Sequence, residues 1–276
     1  MESLLELTRR ALLTGSAAGA TGWLVMRSGL HSETVHAAGL AETAPAPPSG
    51  PMLELPERRA NAHTGSAFLD ELERVDFEEL DDRVVEEILA GNVPSFLRAL
   101  APVDLDDARV WVTRDYMSVG RDDNYVHVPL TGPAAQRLAD ALHATLPTPS
   151  LVDAIHRAAD VHLPAVGVEE EPELHWVAQK RRHEQRLAHH DGKELVSGHL
   201  KDIVVSPVLR ERRDRVAVYG LQGTFDHPLQ PFSTIHELIY VDYSHGVRLV
   251  AAEAERHGKR VPVDNVLPDL FTYPRR

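Results

Sequence analysis

The sequence contains no cysteine, and this absence excludes several kinds of site. Disulfide bonds, thiolate metal ligands and cysteine nucleophiles cannot occur in the chain. Apolar residues make up 43% of the sequence, which is enough for a substantial core. A folded domain of this chain must therefore be held together by packing, or by a metal ion bound through nitrogen and oxygen.

Basic residues are outnumbered by acidic ones. The chain has 29 Lys and Arg against 42 Asp and Glu, for a net charge of −13. Proteins that bind nucleic acid usually present a basic surface. We therefore expect no nucleic-acid partner, and an acidic chain also disfavours polyanionic substrates.

Histidine is unusually frequent, with 16 residues in the chain. Imidazole is the commonest metal ligand in proteins and the natural general base near neutral pH. The count directs attention to histidine chemistry without choosing between these two roles.

The N-terminus has the three parts of an export signal. Arg9 and Arg10 follow Thr8, an uncharged stretch covers 11–26, and 35–37 reads Val-His-Ala, a small-residue cleavage site. This order of features is typical of signal peptides. The paired arginines resemble those of twin-arginine (Tat) signals, which a receptor reads as an address.

The resemblance implies a signal peptide over 1–37, the Tat translocase as a partner during export, and a periplasmic or extracellular location. Tat cargo is carried in the folded state, so a metal could be acquired before export. The alternative is an uncleaved membrane anchor, but a spanning helix needs about 20 strongly apolar residues, and 11–26 is short and rich in Gly and hydroxyl residues.

Composition and periodicity predict the organisation of the remaining chain. A Pro- and Ala-rich linker covers 38–65, and a single domain covers 66–276. Helical patterns come first and β-like runs later, so we predict an α+β fold in which N-terminal helices pack against a largely antiparallel C-terminal sheet. The predicted helices start near Ser66 and cover 81–90, 133–144, 150–159 and 172–190, and the predicted strands cover 109–116, 202–206, 215–219, 238–241 and 246–251.

Three segments of the C-terminal third place histidine beside small residues at predicted strand ends. Loops at strand ends commonly present functional side chains to a cleft. The candidate catalytic residues are His199, Lys201, Asp202, His236, Asp242 and His245.

A zinc site would need three of these side chains and an open position for water. His236, Asp242 and His245 are the predicted trio. The arrangement resembles the His…Asp…His set of murein metallopeptidases. It departs from that family in spacing, and its closing His-x-His is missing.

A metal-free site is the second possibility. His199 or His245 would be the general base, oriented by Asp202 or Asp242, and water or a nearby serine at 197, 233 or 244 would be the nucleophile. Lys201 would bind an anion or donate a proton. No Gly-x-Ser-x-Gly motif supports this arrangement. A third possibility is purely structural, since Asp and Ser side chains often satisfy turn amides.

Four segments resemble an exported bacterial family of uncharacterised proteins. They cover 91–97, 135–140, 198–202 and 242–250. The resemblance implies one domain over these segments and brings no activity with it. Together these features predict an exported hydrolase of a cell-envelope or extracellular polymer, with zinc as the possible cofactor. The alternative is a non-catalytic envelope protein that binds a glycan, a peptide or a protein.

Overall fold

The computed structural model describes residues 50–167, 176–187, 190 and 192–274. These belong to one compact unit that begins at Gly50. The predicted export signal lies outside the described residues, as does the start of the predicted helix over 172–190.

The described part of the chain contains five α-helices and three short 3₁₀ turns. The helices are α1 (Gly65–Leu72), α2 (Phe77–Leu89), α3 (Gly132–Ala141), α4 (Pro149–Ala158) and α5 (Trp176–Glu184). The 3₁₀ turns are Ser95–Leu97, Pro207–Arg210 and Val263–Asn265.

Three of the helices begin in the same way. Thr64, Thr131 and Thr148 each lie in extended conformation before a helix and accept a hydrogen bond from the amide three residues later. The hydroxyl thereby satisfies one of the amides that the first helical turn leaves unpaired. In α3 and α4 a proline in the first turn removes a further unpaired donor.

Fourteen short strands alternate with these helices. They are β1 (Ala101–Asp104), β2 (Ala108–Val112), β3 (Ser118–Arg121), β4 (Asn124–His127), β5 (Ala144–Thr145), β6 (Val161–His162), β7 (Val196–Ser197), β8 (Lys201–Val204), β9 (Ala217–Gly220), β10 (Gln230–Ser233), β11 (His245–Gly246), β12 (Val250–Ala251), β13 (Glu253–Arg256) and β14 (Lys259–Pro262).

The strands form two main sheets and two strand pairs. An antiparallel sheet has the order β14-β13-β2-β12-β5, with β1 also paired to β2. A second sheet has the order β10-β9-β8-β11, in which β11 runs parallel to β8. The pairs are the hairpin β3–β4 and the parallel pair β6–β7. The predicted α+β class is confirmed, and the sheets draw strands from most of the described chain.

One predicted strand is wrong. Residues 238–241 form a turn, in which the Tyr240 amide donates to the Glu237 carbonyl. Leu238 is buried there, and its amide donates to Asp214. The run of apolar residues therefore reflects an anchored turn, with Ile239 left exposed.

The second half of the predicted linker packs against the domain. Leu53 is buried, and its amide donates to the Arg98 carbonyl at 2.8 Å. The Arg98 guanidinium in turn donates to the carbonyls of Leu55 and Pro56. A Pro-rich extended segment has few amides to satisfy, and its carbonyls can be bound by a neighbouring side chain. The folded unit accordingly starts near residue 50 and not at residue 66.

The helices and sheets enclose two clusters of buried apolar side chains, the larger of which lies among α1–α3, β8 and β9. No helix in the described part of the chain has the length and apolar character needed to span a membrane.

A buried arginine joins the segments around the candidate site. Arg248 donates to the carbonyls of Thr113 and Val196 at 2.7 and 2.8 Å. Its guanidinium lies 4.4 Å above the ring of Tyr116. These contacts hold the β2–β3 loop against the segment that leads into β8.

Candidate functional site

Asp115 lies at the centre of a buried group of histidines. Its carboxylate is completely buried in the β2–β3 loop. Oδ2 lies 3.0 Å from Nε2 of His127 and 2.8 Å from Nε2 of His190, and Oδ1 lies 3.3 Å from Nε2 of His199. The Tyr116 amide also donates to Oδ1 at 2.7 Å. One carboxylate is thus shared by three imidazoles from distant parts of the chain.

Two of these partners lie in or beside β-strands. His127 is the last residue of β4, where it pairs with Ser118 of β3. His199 follows Gly198 in the turn between β7 and β8. The side chains of both histidines are at most 5% exposed. The carboxylate and the two imidazoles are therefore presented by a hairpin and two loops, and their side chains are buried.

The spacing of the ligand atoms suits a metal ion. Nε2 of His127 lies 3.4 Å from Nε2 of His199, and the distances to the Asp115 oxygens are 3.0 and 3.3 Å. Ligands about 2.0–2.1 Å from a tetrahedral zinc ion lie about 3.3 Å from one another. Within the described residues, Asp115, His127 and His199 are the only group whose ligand atoms all approach within 4.8 Å. The cluster can hold a metal ion.

Glu184 gives His127 the orientation of a ligand. Nδ1 of His127 lies 3.0 Å from Oε2 of Glu184, and Lys180 forms an ion pair with Oε1 of the same carboxylate at 2.8 Å. A carboxylate on Nδ1 binds the N–H there and leaves Nε2 free for a metal ion. His199 has no such partner among the described residues, where its buried Nδ1 makes no hydrogen bond.

His190 plays a different part from the other two histidines. Its Nδ1 accepts a hydrogen bond from the Gly192 amide at 3.0 Å, so the proton of the neutral ring is on Nε2. That N–H donates to Asp115. His190 consequently positions the carboxylate and is not a ligand in this tautomer.

Burial and neighbouring charges set the protonation of Asp115, His127 and His199. Burial opposes the charge on Asp115, but His127 and His199 keep the pKa of this carboxyl well below its usual range. Burial also opposes the charge on His127, but Glu184 and Asp115 raise the pKa of this imidazole to about 9. For His199, burial lowers the pKa. The protonated His127 carries a hydrogen on Nε2. A metal ion that binds Nε2 would therefore have to displace this proton.

An aromatic layer covers the cluster. The ring of Phe96 lies 5.3 Å from that of Tyr125 and 5.4 Å from that of His190. Tyr125 in turn lies 5.5 Å from the ring of His127. Phe96 and Tyr125 are half-buried, so the aromatic side chains that contact His190 and His127 also reach the solvent.

Four of the six predicted site residues form a second cluster. Lys201 Nζ lies 3.1 Å from Oδ2 of Asp242, and Nε2 of His245 lies 3.7 Å from the same oxygen. His236 stacks on Tyr240 with the ring centroids 3.8 Å apart, and the Tyr240 hydroxyl donates to Asp242. The structure thus brings Lys201, His236, Asp242 and His245 into one neighbourhood.

The remaining two predicted residues have other partners. His199 belongs to the Asp115 cluster, and Asp202 accepts a hydrogen bond from the Tyr116 hydroxyl at 2.8 Å. Burial raises the pKa of Asp202 to about 6. Successive side chains of a strand point to opposite faces. The neighbours Lys201 and Asp202 therefore lie on opposite faces of β8. Lys201 contacts Asp242, and Asp202 contacts Tyr116.

The predicted zinc trio is not supported by this geometry. The ligand atoms of His236, Asp242 and His245 do not all lie within 4.8 Å of one another. His236 faces the Tyr240 ring, and the Asp242 oxygen nearest to His245 already binds the Lys201 ammonium. A cation at this oxygen repels a second one.

Sequence reasoning missed Asp115, His127, His190 and Glu184 altogether. Asp115 falls in the predicted strand over 109–116, no element is predicted over His127, and 72 residues separate His127 from His199. No local spacing motif connects them. The abundance of histidine was the one signal that pointed toward such a cluster.

Comparison of the chain with protein-family models, with curated proteins and with solved structures gave no match.

Proposed function

We propose that the protein is an exported metal-dependent hydrolase, and that Asp115, His127 and His199 bind its divalent ion. Zinc fits the donor set best, because two imidazoles and one carboxylate with a fourth position open are typical of catalytic zinc. Its substrate would be a cell-envelope or extracellular polymer. The observation that carries the proposal is that one ligand atom from each of these three buried residues lies within 4.8 Å of the other two.

When bound, the zinc ion would supply a hydroxide nucleophile near neutral pH. The chain itself provides the positioning and a group for proton transfer. Glu184 fixes the His127 ring, and His190 fixes the Asp115 carboxylate. Asp202 can take up or release a proton near neutrality, and its partner Tyr116 has its ring centroid 5.0 Å from that of His199.

A second candidate is a non-catalytic binding protein in which the metal ion is structural. The complete burial of Asp115 and His199 favours it, since structural metal sites are closed to solvent. The two candidates share the metal site and differ in whether a substrate is turned over.

Metal analysis of the purified full-length protein tests the shared step. After zinc loading and dialysis, we expect about one zinc ion per chain, and little zinc in His127→Gln and His199→Gln. His63→Gln is the matched control, because His63 is 46% exposed and lies outside the cluster. Absence of zinc from the wild-type protein, or equal zinc in all four proteins, would rule out this metal site.

An activity assay separates the two candidates. Dye-labelled cell-wall polymer is incubated with chelated protein and with the same protein after zinc is restored. A hydrolase releases soluble dye only after zinc is restored, and Asp202→Asn should reduce that rate. A zinc-loaded protein that releases no dye but melts at a higher temperature than the chelated one supports the binding protein.

A further inference from the structure

A serine and a histidine make direct contact at a place that the proposed metal site does not use. Ser197 Oγ lies 3.1 Å from Nδ1 of His156. Ser197 is the last residue of β7, and His156 lies in the last turn of α4. Ser197 was among the serines that the sequence offers as nucleophiles, but neither predicted base is its partner.

The tautomer of His156 is fixed by its second contact. Nε2 lies 2.9 Å from the carbonyl oxygen of Phe225. A carbonyl can only accept, so Nε2 carries the proton and Nδ1 presents a lone pair to the serine. Burial lowers the pKa of His156, which keeps the ring neutral at pH 7. This is the state that a general base for serine must have.

The backbone around Ser197 adopts conformations that favour glycine, and one leucine shares them. Gly198 has φ of +106°, and a Cβ added there would lie 2.3 Å from the carbonyl oxygen of Gly223. The facing loop contains Gly220, Leu221 and Gly223, all with positive φ. A buried leucine in this region is uncommon, and such strain concentrates at functional sites.

The contact lies just beneath an exposed loop. Ser197 and His156 are 2% and 6% exposed, whereas Phe225, whose carbonyl holds His156, is 36% exposed. Residues 224–227 are all exposed. The segment that binds Nε2 of His156 is therefore accessible to solvent.

From this geometry we propose that Ser197 is a nucleophile with His156 as its general base, and that the pair transfers the acyl group of an ester or amide. Oγ forms a bond to the acyl carbon while its proton passes to Nδ1 of His156. The bond to the leaving group then breaks, and that group takes the proton from His156. Water afterwards attacks the acyl-serine, gives its proton to His156, and releases the acid as Oγ recovers the proton.

The amide of Gly198 is suited to stabilise the oxyanion of this step. The residue after a nucleophilic serine commonly supplies such a donor. Among the described residues, no backbone hydrogen bond outside the helices and strands is donated by this amide. The glycine thus combines the required conformation with an available donor.

Labelling with a fluorophosphonate tests the proposal, with full-length protein in excess chelator so that the metal site plays no part. Oγ displaces fluoride from phosphorus, and peptide mass spectrometry locates the adduct. We expect one label on Ser197, none there in Ser197→Ala, and a rate at least 100-fold lower in His156→Gln. Ser95→Ala is the surface control, and His127→Gln should label like the wild type.

A cysteine variant covers the possibility that these substitutions disturb folding. Because the chain has no cysteine, Ser197→Cys carries a single thiol. His156 should make that thiol react with iodoacetamide at pH 6, where the exposed thiol of Ser95→Cys reacts slowly. An unlabelled Ser197 in wild-type protein, an unaltered rate in His156→Gln, or an inert thiol in folded Ser197→Cys would overturn the proposal. None of these outcomes bears on zinc binding.

Discussion

Asp115 and Asp242 are both carboxylates surrounded by histidines, and yet only one of them is placed to bind a metal ion. Asp115 is fully buried and faces three imidazoles. Asp242 is 19% exposed, and its oxygens are taken by the Lys201 ammonium and by the amide and hydroxyl of Ser244. The difference lies in what already occupies the carboxylate and not in how many histidines are near it.

Removal of each carboxylate should give the largest contrast. Asp115→Asn leaves a protonated His127 beside a buried amide, and loss of one partner of a buried ion pair costs about 3–5 kcal/mol. Asp242→Asn keeps an oxygen for Ser244 and Tyr240 and removes the charge that faces Lys201, which is 13% exposed, and His245. We expect a cost of about 1 kcal/mol there. Urea unfolding of chelated protein measures both, with exposed Asp107→Asn as the control.

If the two variants lose equal stability, the two clusters do not differ in the way that the geometry indicates. If only Asp242→Asn lost stability, the Asp242 cluster would be the more tightly coupled of the two, which is the opposite of what we expect.

The two clusters should also respond to pH in opposite directions. His127 has a folded pKa of about 9, above its unfolded value, so its stabilisation is present below about pH 6.5 and is lost as pH rises toward 9. Burial lowers the pKa of His245 to about 4. Its stabilisation is present above about pH 6.5 and is lost as pH falls toward 4. Each change is on the order of 3 kcal/mol.

Denaturant unfolding of chelated protein between pH 4.5 and 9.5 measures both limbs. In His127→Gln, the free energy of unfolding should no longer fall between about pH 6.5 and 9, and the acid side of the profile should be unchanged. In His245→Gln, only the fall between about pH 6.5 and 4 should be lost. Zinc should also flatten the alkaline limb, since it takes the place of the proton on His127. A profile that neither variant changes would show that these histidines do not titrate as described.

The smallest effect concerns the orientation of His127. The Lys180→Met/Glu184→Gln double variant replaces the carboxylate that binds Nδ1 with a neutral amide and removes the lysine charge that paired with it. Loss of a carboxylate that orients a ligand histidine typically weakens metal affinity 10–100-fold. We expect a zinc Kd at least about 10-fold higher by competition with a chromophoric chelator. Glu73→Gln is the control. Glu73 forms a surface ion pair with Arg181, which lies on α5 together with Lys180 and Glu184.

Local patterns in the sequence predict much of the fold. The helices at 65–72, 77–89, 132–141 and 149–158 follow from apolar spacing, and three of them also have Thr at the N-cap. The turn at 238–241 is misread because a single anchored leucine resembles a strand residue. The packed segment from residue 50 is missed because proline-rich composition does not reveal whether a partner binds its carbonyls.

The candidate site is harder to predict, for a physical reason. His199, Lys201 and Asp202 are recognisable as a polar group at a strand entry. Their assignment to one cleft fails because alternation along β8 sends Lys201 and Asp202 to different faces. Asp115 and His127 reach His199 only through tertiary packing, which no local pattern records.

Arg248 bears on the order in which this molecule is assembled. A guanidinium stays charged in the interior and needs its partners whenever water is excluded. Since Arg248 binds the carbonyls of Thr113 and Val196, the chain must join these segments as its core closes. Asp115 and His199 each lie within three residues of those carbonyls. The donor set is therefore preorganised by the fold, and an ion would find its ligands already gathered.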